Sequence, residues 1–125
     1  MASSTRLVLL DTNFILSCYR FRIYLEEIDH LIDEVHEIVV PTNVLEELKR
    51  LTLTGKDEEA RKTMLKVLDS YTTLPLEGKV DTSLLEYARE HDCIICTNDK
   101  PLRKALKNMG IKTVYVRARS HLKME

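Results

Sequence analysis

The chain contains neither tryptophan nor glutamine, and its three cysteines, Cys18, Cys93 and Cys96, are too few for a disulfide framework. An odd set cannot pair fully within one chain, so free thiols in a reducing compartment are expected, and with them an intracellular, cytoplasmic protein. No apolar run approaches the roughly 18 residues needed to cross a bilayer. The opening MASSTR also lacks the apolar stretch of a secretory leader, so no membrane partner is expected. An excess of one charge is missing too. Lys plus Arg number 19 against 20 Asp plus Glu, so no global field draws the protein to nucleic acid and any polyanion needs a local basic patch. Abundant Glu and Lys beside absent Gln give a composition of the kind found in heat-adapted proteins.

What is present suits one globular domain. At 125 residues, 44% hydrophobic and 31% charged, the chain can bury one core and keep a charged surface, and no linker, internal repeat or low-complexity tract divides it. Residues 1–125 read as a single domain, with 118–125 a short basic tail and ordinary frayed end. The spacing Cys93-Ile94-Ile95-Cys96 imitates a redox or zinc motif. On a strand, however, those two side chains point to opposite faces, and no second Cys or His pair completes a four-ligand set.

Five short apolar runs, RLVLL (6–10), EIVV (37–40), TTLPL (72–76), CIIC (93–96) and TVYV (113–116), read as strands, the third weakened by Pro75. Helical periodicity falls between them at 22–34, 42–53, 57–70, 82–91 and 100–109. Strands alternating with helices predict an α/β fold: three layers, α/β/α, around a central parallel sheet of four or five strands. Near-continuous apolarity agrees, because parallel strands are covered on both faces. Gly55 stands before a charged helix start, and Gly110 stands where a helix C-cap is expected.

Ligands of open parallel sheets bind beyond the carboxyl ends of the strands, where strand order reverses. Asp11 directly follows the first strand and ends an almost wholly apolar run, where an unpaired charge costs several kcal/mol. Asp99 follows CIICTN at the same edge. On the helix from about Thr42, a 3.6-residue wheel buries Val44, Leu45, Leu48 and Leu51, with Glu47 on the margin and Glu46 facing solvent. The next helix groups Asp81 with Leu84, Leu85 and Ala88. Singly, each acid has a plainer reading: Asp81 and Asp99 as N-caps worth about 1 kcal/mol, Glu47 paired to a nearby Lys or Arg. As a set, Asp11, Glu47, Asp81 and Asp99 form a cluster of carboxylates that repel unless cations intervene. Hard Mg²⁺ or Mn²⁺ prefers such oxygens, takes one or two carboxylates directly and leaves room for phosphate. That chemistry suits phosphodiester hydrolysis.

With those residues in view, LLDTNFIL, VPTNVLEELKRL, VDTSLLEYA and ICTNDKPLRKAL resemble, in order, the four motif segments of the PIN domain ribonucleases, over about residues 7–117. The resemblance implies a PIN-like fold and Mg²⁺- or Mn²⁺-dependent cleavage of single-stranded RNA, often by a homodimer. It carries the family's catalytic and metal-binding acids onto Asp11, Glu47, Asp81 and Asp99, with Asn13, Thr97 and Asn98 supporting them through hydrogen bonds. The helical insert before EIVVP, the doublet in VLEEL and the end GIKTVYVRARSHL look more like the rRNA-processing branch, related to the small-subunit processome endonuclease, than like VapC toxins. Pre-rRNA is therefore the expected substrate. A toxin ribonuclease with an antitoxin partner, or a non-catalytic RNA- or protein-binding scaffold of the same fold, are the alternatives.

Lys100, Arg103, Lys104 and Lys107 follow Asp99 on one helix, and Arg117, Arg119, His121 and Lys123 crowd the tail. They are candidate RNA phosphate contacts, although a charge run is also what a solvated face looks like. Tyr19, Phe21, Tyr24 and Tyr87 could stack on bases, fill core or meet a second protomer. The histidines form no catalytic arrangement.

Overall fold

In the computed structural model, which describes residues 5–125, the first strand runs straight into the residue that begins the first helix. The first four residues of MASSTR, on which the reading of a missing leader partly rests, lie outside the described residues. The strands are β1 (Arg6–Leu10), β2 (His36–Pro41), β3 (Thr72–Leu74), β4 (Cys93–Cys96), β5 (Lys112–Arg117) and β6 (His121–Met124). The helices are α1 (Thr12–Arg20), α2 (Glu27–Leu31), α3 (Thr42–Arg50), α4 (Gly55–Leu68), α5 (Val80–Glu90) and α6 (Lys100–Asn108). The described residues form one six-stranded sheet in the order β3-β2-β1-β4-β5-β6. The first five in that order are parallel, and β6 pairs antiparallel with β5. This is the expected α/β fold, with a mostly parallel sheet at its centre.

From β1 the chain steps to β2 and β3 in one direction, and from β4 to β5 in the other. Right-handed crossovers then send the two sets of helices to opposite faces. Accordingly α1 packs on α3 and α4, while α5 packs on α6. Strands covered on both sides must be apolar throughout, and β4 is buried at every position. Val8, Leu9, Leu10, Ile94 and Ile95 are fully buried at the centre of the sheet, in register across β1 and β4.

Three departures from the sequence reading have local causes. Residues 12–20 are helical because Asp11 caps them and Phe14, Ile15 and Cys18 make a buried stripe. The helix expected over 22–34 shrinks to α2. Arg22 takes a left-handed φ of 58°, and Ile23 and Leu25 are buried while Tyr24 and Glu26 are exposed, the alternation of extended chain. The basic tail is not frayed: Leu122 is buried in β6, and Thr113 and Glu125 exchange both backbone hydrogen bonds at 2.9 Å. A four-residue edge strand carries too few alternations to be legible beforehand.

Gly110 acts as expected at the end of α6. At φ 78° it lets its own N–H reach Lys107 O and that of Ile111 reach Leu106 O, the paired bonds of a Schellman cap. Among the described residues, no helix is long and apolar enough to cross a membrane.

Candidate active site

Strand order reverses between β1 and β4, and Leu10 pairs with Cys96 at their carboxyl ends. The next residues along, Asp11 and Thr97, therefore emerge side by side, with Asp11 N–H still donating to Cys96 O at 2.9 Å. Asp11 is 5% exposed and Thr97 is fully buried. Asp11 Oδ1 accepts from Thr12 N–H at 2.8 Å, capping α1, and Oδ2 accepts from the Thr97 hydroxyl at 2.7 Å. The same Thr97 oxygen accepts from Asp99 N–H at 3.1 Å, so one hydroxyl joins the acid after β1 to the one after β4.

Asn13 Oδ1 accepts from Asn98 N–H at 3.0 Å, and Asn98 Oδ1 from Val116 N–H at 2.9 Å. These two asparagines lace the ends of β1, β4 and β5 into one rim. Asp99 caps α6 through Leu102 N–H at 3.0 Å, as its plainer reading foresaw, but that engages Oδ1 alone. Glu47 lies half-buried on α3 and has no side-chain hydrogen bond or ion pair among the described residues, so the pairing to a nearby Lys or Arg does not occur.

Burial raises the Asp11 carboxyl above its ordinary range, against the bonds from Thr97 and Thr12, and the charges of Glu47 and Asp99 push the same way. Glu47 and Asp99 are thus within electrostatic reach of Asp11. Asp81 is not among the charges acting on Asp11. It sits half-buried in the first turn of α5, where Oδ1 accepts from Thr82 N–H at 2.8 Å, inside the helix rather than at its cap.

The donor set is all carboxylate, the chemistry of a hard cation, and a buried acid facing two further acids is relieved by positive charge. Among the described residues, no three or more His, Cys, Asp or Glu side chains form a ready-made cage. Asp11, with Glu47 and Asp99 in reach of its charge, offers the carboxylate oxygens that could hold a hard cation such as Mg²⁺.

Of the candidate phosphate contacts, Lys100, Lys104, Lys107, Arg117 and Arg119 are exposed; Arg117 ends β5 and Arg119 lies in the turn to β6, at the same strand edge as Asp99. Arg103 differs. Its guanidinium lies 3.9 Å above the Tyr115 ring centroid and pairs with Glu125 at 3.5 Å. Two of the aromatics are also engaged: Tyr19 donates to Glu59 at 2.6 Å, and Tyr87 stacks on His91 with ring centroids 4.1 Å apart. Burial pushes the Cys18 thiol up to about 12 and Cys93 to about 11, and holds Cys96 well above its usual range, which removes the thiolate that redox chemistry needs.

Two polar residues near these acids were not anticipated. Asn43 and Ser83 are buried and bonded to each other at 2.8 Å. Each stands on the apolar stripe of its helix, Asn43 four positions before Glu47 and Ser83 beside Leu84. A polar residue on a buried face was the available signal.

A mostly parallel sheet with acids at its point of reversal defines a class, and the chain belongs to the PIN like domain family, whose model matches residues 8–119. It is 30% identical over 122 residues to Ribonuclease VapC9 of Archaeoglobus fulgidus, covering 92% of this chain and 86% of that protein. It is also 30% identical over 121 residues to Ribonuclease VapC4 of Methanocaldococcus jannaschii, covering 91% and 92%. The fold is similar to that of the PIN domain endonuclease Utp24, with a TM-score of 0.79 and 24% identity over 95% of this chain and 90% of that one. A domain of a functionally unknown protein from Methanocaldococcus jannaschii shares the fold at a TM-score of 0.63 and 19% identity, over 91% of this chain and 93% of the other.

Proposed function

We propose that the protein is a Mg²⁺- or Mn²⁺-dependent endoribonuclease that hydrolyses phosphodiester bonds of single-stranded RNA. The observation that carries this reading is Asp11: a nearly buried carboxylate at the point of strand reversal, its charge opposed by both Glu47 and Asp99. The curated relatives, both named ribonucleases, support the choice of RNA.

In this reading Asp11, Glu47, Asp81 and Asp99 hold the cation, and Thr97 fixes Asp11 and the turn into Asp99. Asn13 and Asn98 keep the strand ends in register. The exposed Lys100, Lys104, Lys107, Arg117 and Arg119 draw the phosphate backbone to the rim. A metal held there would supply an activated water and offset charge on the phosphate.

The cellular role we favour is ribosomal RNA maturation, from the likeness of VLEEL and GIKTVYVRARSHL to that branch; the long helical insert expected beside them is only the five-residue α2. Identity to two VapC ribonucleases supports a second reading as a toxin with an antitoxin partner. Purified protein, unstructured RNA and Mn²⁺ or Mg²⁺ test the activity, with Asp11→Asn and Asp99→Asn as controls. Cleavage by the wild type alone is expected, and equal cleavage by all three removes the proposal. Crosslinking in the native cell separates the roles: ribosomal precursors among the bound RNAs support maturation, and transfer or messenger RNAs support the toxin.

A further inference from the structure

Asn43, at the start of α3, is 3% exposed and makes its bonds away from its own helix. Its amide nitrogen donates to Gly78 O at 3.2 Å and to Ser83 Oγ at 2.8 Å, and the Ser83 hydroxyl donates on to Val80 O at 2.7 Å. Beside it, the Thr42 hydroxyl donates to Leu76 O at 2.9 Å and accepts from Leu76 N–H at 3.1 Å. Every one of these partners lies in residues 76–83, the stretch that leads into α5 and forms its first turn.

Two of the acids hang on this clasp. Glu47 follows Asn43 by about one helical turn on the same face of α3, and Asp81 precedes Ser83 by two residues. The hydrogen bond at Asp81 is purely local, to Thr82 N–H. Its position relative to Glu47 therefore depends on where the backbone of 78–83 is held. The Asn43 amide cannot reverse without setting its oxygen against Gly78 O, so one amide hydrogen is committed to that backbone and the other to Ser83 Oγ.

The other end of the amide, Oδ1, is buried without a partner. An unmet buried acceptor is destabilising, and an apolar side chain on the buried stripe of α3 would avoid it. The amide thus satisfies the backbone and hydroxyl of 78–83 while leaving its own oxygen unmet.

We propose that Asn43 is a positioning residue that sets Asp81 against Glu47 and, through that spacing, the affinity of the acid set for a divalent cation. The inference rests on the metal-dependent reading above.

The test uses the full chain with Asn43→Ala and Ser83→Ala. Two quantities are read: the Mn²⁺ concentration giving half of the metal-induced rise in Tm without RNA, and the Mn²⁺ concentration giving half-maximal cleavage of a labelled single-stranded RNA. Asn43→Ala is expected to raise both about 10-fold, the lower end for groups that orient metal ligands, with cleavage recovering at saturating metal. Ser83→Ala is expected to shift both in the same direction but less, since Gly78 O still accepts. A lowered metal-free Tm with both midpoints at wild-type values makes Asn43 merely structural and overturns the proposal. Should Asn43→Ala fail to fold, Ser83→Ala decides by the same two midpoints. Wild-type protein that responds to Mn²⁺ yet cuts no RNA removes the nuclease reading while the thermal midpoint still tests Asn43. Indifference of the wild-type Tm to Mn²⁺ overturns both.

Discussion

The Thr97 hydroxyl donates to Asp11 Oδ2 at 2.7 Å across 86 residues of sequence, and the same oxygen accepts from Asp99 N–H. Because Thr97 is fully buried, Thr97→Val keeps the shape and deletes both bonds. Each polar group left unmet costs about 1–3 kcal/mol, so a clear loss of Tm is expected in a thermal melt. Cleavage at limiting metal should fall about 10- to 100-fold, the usual penalty for losing a group that orients a metal ligand. Thr97→Ser, which retains the hydroxyl, should cut nearly as well as wild type. If the valine variant cuts equally well, Thr97 does not orient Asp11.

Asp11→Asn separates stability from function. The folded protein raises the Asp11 carboxyl chiefly by burial, so it favours the protonated form. For a raised acid, the contribution to stability is whole below the unfolded value and is lost as pH rises through the folded one. Without metal, Asn at this site should therefore leave stability unchanged at low pH and raise it near neutrality. In Mn²⁺ the order should reverse, because only the acid gains from the cation. Melting curves at two pH values, with and without Mn²⁺, check both signs. A variant less stable than wild type at neutral pH without metal contradicts the account of Asp11.

Much of this was legible in the sequence, for reasons visible residue by residue. RLVLL and CIIC stand out because strands covered on both faces leave no room for polar residues, and the observed β1 and β4 have those same bounds. Asp11 was conspicuous because it breaks such a run. The first helix was not, since Thr12 and Asn13 read as loop until Asp11 is seen to cap them. Asp81 was placed with the other acids by a helical wheel, which fixes a direction around one helix but not the distance between helices. That distance is held by Asn43 and Ser83, whose bond spans 40 residues and leaves no periodic trace.

His36 should give stability a pH dependence far from the acids. Its Nδ1 lies 2.8 Å from Glu34 O and its Nε2 2.6 Å from Asp29 Oδ1, so only the doubly protonated ring donates to both. The bond to Glu34 raises its pKa most, and Asp29 adds to the shift against a smaller opposing effect of burial. A raised histidine contributes stability that is complete below its unfolded value of 6.5 and fades as pH climbs through the folded one. Tm should therefore decline from slightly acid toward alkaline pH, and His36→Gln should flatten that decline. Arg6 pairs nearby with Glu34 at 3.3 Å and Asp92 at 2.8 Å. An undiminished slope in the variant assigns the dependence elsewhere.

The basic residues around the rim can be sorted by what their charges already touch. Lys104 and Arg119 are exposed and appear in no ion pair among the described residues, whereas Arg103 covers Tyr115 and meets Glu125. A cation that neutralises an RNA phosphate releases a counterion, so removing one such contact should lower the slope of log affinity against log salt by roughly 0.7 for single strands. Lys104→Gln and Arg119→Gln are each expected to do so and to weaken binding equally across RNA sequences, because phosphates carry no base identity. Arg103→Met keeps the aliphatic stem but loses the cation over the ring, so its main effect should be a lower Tm with a nearly unchanged salt slope. Fluorescence anisotropy at several salt concentrations, beside a melt of each variant, distinguishes the two kinds of residue. If Arg103→Met changes the slope as much as Lys104→Gln, its guanidinium leaves the tyrosine to meet RNA.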